Sequence, residues 1–237
     1  MKTNRFQVQR DQLATEGPQK WLATLLPKVE RLRAQLVSRE PRLIAQQSGT
    51  ILENEQLLRL TLWDKEYTIT VPDYRVYNAD GTEARTDRQV LILMYLHTAD
   101  GTPPEYRWLR YRELPGGLFY SHAFSGYAEK RLADAFHNQP DAFSHSATRL
   151  GGIRLSFGNS ESFAFFAMPR IRLAAVLWAG DDDLPSSATI LFDAGATHYL
   201  PTDVLGALGS QLVSRLMGVP DDVGQTLTAL AVQPPKT

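Results

Sequence analysis

Between Ile153 and Phe192 the chain holds four strand-length apolar runs in succession, and no other feature narrows its fold as much. Ile153–Phe157 and Ser162–Met168 flank Gly158-Asn159, while Leu173–Trp178 and Ala188–Phe192 flank the segment 180–187. Short apolar runs separated by turn residues at such spacing read as strands of an antiparallel meander. A second β region lies upstream. Leu58, Leu60 and Leu62 alternate with polar residues, as do Tyr67, Ile69 and Val71 after Asp64-Lys65, which predicts a hairpin with one buried face. Pro72-Asp73 and Asn78-Ala79-Asp80-Gly81 are turn signals that close this region.

Helices fill the intervals. Trp21, Leu22, Leu25, Leu26, Val29, Leu32 and Leu36 recur at three- and four-residue spacing, with Pro27 expected to kink or split the helix. Pro41 starts a short segment that Ser48-Gly49 closes. Thr86-Asp87-Arg88-Gln89 fits a capping box opening a buried helix through Leu91, Met94 and His97. Arg107–Arg112 reads as a strand, and Tyr127–His137 and Asp141–Leu150 as helices. Val204, Leu205, Leu208, Leu212, Val213 and Leu216 predict a last helix from Pro201 or Thr202 to Met217, stopped by Gly218.

Strands arrive as hairpins and no regular β-α alternation occurs, so the predicted class is α+β with mainly antiparallel pairing and packed helices. Neither a Gly/Ser/Pro-rich linker nor an internal repeat divides the chain. One domain is expected over residues 1–219, its first 40 residues helical, followed by a loosely held polar tail, 220–237.

Composition removes several chemistries. The chain has no cysteine, which rules out disulfides, thiolate nucleophiles and any cysteine-ligated zinc or iron–sulfur cluster within it. A net charge of -1 gives no overall basic field, so nucleic acid is not an expected partner. The apolar runs Val90–Leu96 and Leu173–Trp178 fall far short of the ~20 residues a membrane span needs. Polar residues follow Met1-Lys2-Thr3-Asn4-Arg5 where a secretory signal would be apolar, so a soluble, cytoplasmic protein of bacterial type is expected.

Chemistry-bearing residues gather around the last two strands. Asp181-Asp182-Asp183 lies in the loop after Trp178, where adjacent carboxylates either ligate a hard cation or form a solvated loop that discourages edge pairing. In a hairpin the strand Ala188–Phe192 carries Asp193 ~17 Å from that loop, at ~3.4 Å per residue. Asp193 should then meet Arg170 and Arg172 in an ion pair, or else form a small site with His198 and Tyr199 in which the imidazole serves as base or ligand. His97 and His137 fit helix C-terminal capping, and no two histidines share a helical face with zinc spacing. Arg107-Trp108-Leu109-Arg110-Tyr111-Arg112 interleaves arginines with aromatics, a pattern suited to an anion or a stacked base, or simply to a half-buried strand. Nucleophile-elbow, phosphate-loop and corrinoid-type Asp-x-His-x-x-Gly spacings are absent.

The segment from Pro169-Arg170-Ile171-Arg172-Leu173 through Leu177-Trp178-Ala179-Gly180-Asp181-Asp182-Asp183-Leu184-Pro185 to Ile190-Leu191-Phe192-Asp193 and Tyr199-Leu200 resembles the prokaryotic family called domain of unknown function 3786. Gln47-Ser48-Gly49, Met94–His97 with Ala99-Asp100-Gly101, Arg112–Gly117 and Leu150-Gly151-Gly152 are similar to it as well, so the likeness spans about residues 40–217. The resemblance implies no defined activity. Some members carry a cysteine-rich iron–sulfur segment and occur with corrinoid one-carbon chemistry, and this chain departs from them in lacking cysteine, in Asn159 for an expected Asp and in Leu184 for an expected Phe. The reading that results is a non-catalytic binding or accessory module, loosely tied to that metabolism, presenting an acidic loop and a second polar patch to a partner such as another protein. The alternative is a metal-assisted enzyme in which Asp181, Asp182 or Asp183 holds a divalent ion with a histidine from elsewhere.

Overall fold

The computed structural model describes residues 25–180 and 184–219. Helix α1 occupies 25–37 and runs on through Pro27 without a break, so the expected kink is not seen over this stretch; Trp21 and Leu22 lie outside the described residues. Leu25, Val29, Leu32 and Leu36 are buried while Leu26 is 53% exposed, so the inward stripe is narrower than the sequence spacing implied. Helix α2, Pro41–Ser48, begins on a proline whose φ is already helical. It ends at Gly49, whose φ of 71° suits a residue without Cβ.

The first sheet is a meander, β1 (Ile51–Glu53), β2 (Leu57–Leu62), β3 (Lys65–Thr70) and β4 (Val76–Asn78), each antiparallel to the next. The expected hairpin is its centre, with Leu60 opposite Tyr67 and Leu58 opposite Ile69. Strands β1 and β4 escape a sequence reading because three residues are too few to display a period of two.

Helix α3, Thr86–Thr98, is buried on nearly every face from Gln89 to Leu96. Its start differs from the capping box expected of it: Thr86 is already helical, Arg85 holds the N-cap position, and no side chain caps the first turn. Gln89 instead donates to the Ala84 carbonyl at 2.7 Å. The C-terminal capping expected of His97 is performed by Arg39, whose Nη1 donates to the carbonyls of Leu96 (3.2 Å) and His97 (2.6 Å). Burial, and then the Arg39 charge, push the His97 imidazole below its ordinary value, the opposite of what a protonated cap needs.

Beyond α3 the chain enters β5 (Trp108–Arg110), then two tight helical turns, Tyr111–Glu113 and Gly117–Tyr120. One helical stretch follows: α4 (Ser121–Phe124), a widened π turn over Ser125–Lys130, and α5 (Arg131–Ala135). Helix α6 (Pro140–Arg149) then leads into β6 (Ile153–Arg154), β7 (Glu161–Met168), β8 (Ile171–Trp178) and β9 (Ser187–Asp193). A tight turn, Ala194–His198, precedes helix α7, Thr202–Leu216.

The second sheet has the order β5-β9-β8-β7-β6, antiparallel throughout, so the four-strand meander is as the sequence indicated and β5 is added to its far edge. The fold is α+β. Phe163, Leu173, Leu177 and Phe192 face the helices, with Phe143 edge-on to Phe163 and Phe124 tilted against Phe192. Helix α7 approaches so closely that a Cβ on Gly209 would stand 3.0 Å from the Phe124 ring. One apolar cluster runs from Leu25 to Leu216 through both sheets, and the Trp63 amide donates to the Ala167 carbonyl at 2.8 Å, joining the first hairpin to β7. Each fully buried Leu or Phe in such a cluster contributes about 1.5–3 kcal/mol.

Candidate functional site

The β8–β9 ribbon sets the geometry. Its register runs from Leu173 opposite Phe192 to Trp178 opposite Ser187, so Asp193 and the loop after Trp178 lie at opposite ends of the sheet. Asp181, Asp182 and Asp183 are outside the described residues. The neck of their loop is narrow: the Gly180 amide donates to Ser186 Oγ at 3.1 Å, and a Cβ on Gly180 would meet the Ser186 nitrogen at 2.6 Å and the Leu184 oxygen at 2.7 Å.

At the Asp193 end every acceptor is committed. Asp193 is fully buried, its Oδ1 accepts the amides of Glu105 and Gly195, and its Oδ2 accepts the amide of Tyr106 and the Arg172 guanidinium at 2.5 Å. Arg172 in turn lies 4.0 Å from the Tyr106 ring centre, with Trp108 and Phe166 further off. Of the two expected arginines it is Arg172 that makes the ion pair.

His198 and Tyr199 follow in sequence but turn elsewhere. His198 Nδ1 meets Asp100 Oδ2 at 2.7 Å and Thr102 Oγ1 at 3.2 Å near the surface. Burial raises Asp100, but the Thr102 amide, His198 and the Thr102 hydroxyl outweigh it and leave the carboxyl below its ordinary range. The Tyr199 hydroxyl donates to the Thr102 carbonyl, and its ring stacks on Tyr95, whose own hydroxyl donates to the Ser48 carbonyl. Asp193, His198 and Tyr199 thus each fasten the segment 100–106 to the sheet, and their functional groups do not meet around one space.

The opposite end is open. A cavity of about 470 Å³ lies where β9 runs past the end of β5, lined by Arg110, Arg112, Ser125, Glu129, Trp178 and Thr189 among others. Strand β5 covers only Leu191–Asp193 of β9, leaving the rest of that edge without a strand partner. The π turn fills the gap: Glu129 Oε1 accepts from Thr189 Oγ1 at 2.6 Å and from the Ile190 amide at 3.4 Å. Widened turns of this kind recur at functional sites because the extra residue re-aims a side chain out of the helical repeat. Glu129 Oε2 has no hydrogen-bond partner among the described residues, and neither do the Arg110 and Arg112 guanidinium groups have a carboxylate partner there, whereas nearby Arg107 pairs with Glu105 at 2.9 Å.

The floor of this cavity is rigid. Tyr111 is 2% exposed and stacks on Phe124 with ring centres 4.3 Å apart, and burial, followed by the Asp203 and Tyr120 charges, pushes its phenol up to about 12. A Cβ on Gly117 would fall 1.9 Å from the Tyr111 carbonyl oxygen, so only glycine closes the turn Arg112–Gly117 beneath it. At the rim Leu118 and Phe119 project into solvent, Phe119 87% exposed. Of the candidate residues around the last two strands, Trp178 is the one that lines this space among those described. Arg110 and Arg112 were visible there as an arginine–aromatic run; Glu129 carries no sequence signal, since nothing in Ser125–Lys130 announces a π turn.

An antiparallel α+β domain with one polar cavity at the end of its sheet is the class that fold and site define. The chain belongs to the family described as Domain of unknown function (DUF3786), whose profile matches residues 40–215. No curated protein and no solved structure shows a significant match to it. No helix among the described residues is long and apolar enough to cross a membrane.

Proposed function

We propose that this protein is a non-catalytic binding module whose cavity between β5, the π turn and Trp178 takes a small molecule with an anionic group, a flat apolar body and a hydrogen-bond donor. The reading rests on one observation: two guanidinium groups without carboxylate partners among the described residues and a carboxylate with a spare oxygen share one concave space. Guanidinium forks suit a carboxylate or phosphate, the Trp178 ring suits a flat surface, and Glu129 suits an N–H or O–H. The committed hydrogen bonds at the Asp193 end support the same choice, because a ligand there would have to displace interactions already made. Calorimetric titration with 4-aminobenzoate, against benzoate and aniline as half-ligands, tests it. Saturable 1:1 binding, stronger than for either half and weakened at least ~10-fold in Arg110→Ala/Arg112→Ala, is expected, since each lost charged contact costs roughly 1.4 kcal/mol or more. Equal heats for the variant would contradict it.

The metal-assisted alternative is carried by Asp181, Asp182 and Asp183, whose loop leaves the sheet at the rim of this cavity, directly after Trp178. Among the described residues no group of three or more His, Asp or Glu side chains converges as a metal site. Elemental analysis of purified protein decides: one divalent ion per chain, lost in Asp182→Asn, favours this alternative, and no bound metal favours the binding module.

A further inference from the structure

A second cavity, of about 580 Å³ and with none of the first cavity's lining residues, lies between the first sheet and the ends of α3, α6 and α7. Among the described residues its lining includes five cationic side chains, Lys65, Arg85, Arg88, Arg149 and Arg215, and no acidic one, in a chain whose net charge is -1. The elements that bring them together are far apart in sequence. Lys65 opens β3, Arg85 and Arg88 flank the start of α3, Arg149 closes α6 and Arg215 closes α7. No local run of basic residues announces the cluster.

Among the described residues two acids pair with its cations. Arg85 Nε meets Asp87 Oδ1 at 3.2 Å, and Arg215 Nη2 meets Asp64 Oδ1 at 2.6 Å, so these two cations are partly balanced. Lys65 and Arg149 have no carboxylate partner among the described residues. Behind Arg88, whose Nη1 donates to Gln211 Oε1 at 3.4 Å, the Gln211 side chain is 2% exposed. Its oxygen also accepts from Trp63 Nε1 at 2.9 Å, and its Nε2 has no acceptor among the described residues. Like charges converge at a cost that a bound anion removes.

We infer that this basic cleft binds a chain of phosphate groups. Four of the five cations are arginines, whose planar forks match phosphate oxygens in pairs, and five cations around one space, with Lys65 and Arg149 lacking a carboxylate partner among the described residues, suit several phosphates rather than one. The volume falls within the ordinary range for small-molecule sites, ~300–1,000 Å³. An inorganic polyphosphate and the phosphates of a nucleotide present the same chemistry to it.

Calorimetric titration of the full chain with sodium tripolyphosphate and with ATP, at low and at physiological salt, tests the inference. Saturable binding that weakens with salt is expected, falling at least ~10-fold in Lys65→Ala/Arg149→Ala while Arg42→Ala, a surface cation outside both cavities, leaves it unchanged. Equal affinity for the two probes assigns recognition to the phosphates alone, and tighter binding of ATP assigns a further contact to the nucleoside; both uphold the site. Circular dichroism checks that the variants fold, and Arg149→Lys, which keeps the charge and loses the fork, should fall between wild type and Arg149→Ala. No saturable binding of either probe, binding unmoved by Lys65→Ala/Arg149→Ala, or capture of duplex DNA without tripolyphosphate binding overturns it.

Discussion

The two ends of the β8–β9 ribbon carry similar residue types and use them in opposite ways. At one end Asp193 and Arg172 are buried together, with three backbone amides and an aromatic ring completing their surroundings. At the other, Glu129, Arg110 and Arg112 line an open cavity, with one carboxylate oxygen and two guanidinium groups lacking partners of opposite charge among the described residues. A buried ion pair whose carboxylate accepts four hydrogen bonds holds a loop in place. Charges facing a concave surface without such partners are the ones positioned to exchange water for a ligand.

The largest effect that would sharpen this contrast is on stability. Asp193→Ala strands the Arg172 guanidinium and three amides, and should cost about 3–5 kcal/mol in urea denaturation. A loss below about 1 kcal/mol would mean that the pair does not hold the 100–106 segment. Next comes Gly117→Ala, which places a carbon against the Tyr111 carbonyl and should cost about 1–3 kcal/mol while reshaping the cavity floor. Its signature would be a changed near-ultraviolet spectrum from the Tyr111–Phe124 stack. Arg110→Ala/Arg112→Ala belongs at the other extreme: stability should move by no more than about 0.5 kcal/mol, because both residues are exposed and lack acid partners among the described residues. A large loss would make them structural and erase the contrast.

The smallest effect is linked to pH. Burial and Arg39 depress the His97 imidazole, so the unfolded chain binds its proton more readily than the folded one. The stability this provides is present above the unfolded value of about 6.5 and is lost as pH falls through the folded value. Urea midpoints at pH 7.5 and pH 5.5 should therefore differ less for His97→Gln than for wild type. An unchanged difference would assign the pH dependence to other groups.

Much of the fold can be read from the sequence because its strands advertise themselves. Leu58–Leu62 alternates cleanly, and β7, β8 and β9 are apolar runs bounded by turn residues. The opposite placement of Asp193 and the acidic loop follows from strand length alone. What escapes reading is set by distant contacts. The capping expected of Thr86 is absent, with Gln89 donating to the Ala84 carbonyl instead, and that expected of His97 falls to Arg39, which packs against the end of α3 from far away in the chain. The cavity at the open end depends on a π turn in Ser125–Lys130 and on β5 crossing from a remote part of the chain to join β9. Trp178, Arg110 and Arg112 could be singled out as residues, but their meeting with Glu129 is a property of the packed structure.

The most direct test of the division between the two ends is a nitrogen-15 NMR titration of the labelled full chain with 4-aminobenzoate, followed amide by amide. The account expects saturable shifts concentrated at residues 110–112, 121–129, 178 and 187–189, with Glu105, Tyr106 and Gly195 still. Shifts concentrated at those three amides, or around His198 and Tyr199, would contradict it and move the site to the end of the sheet assigned here to structure.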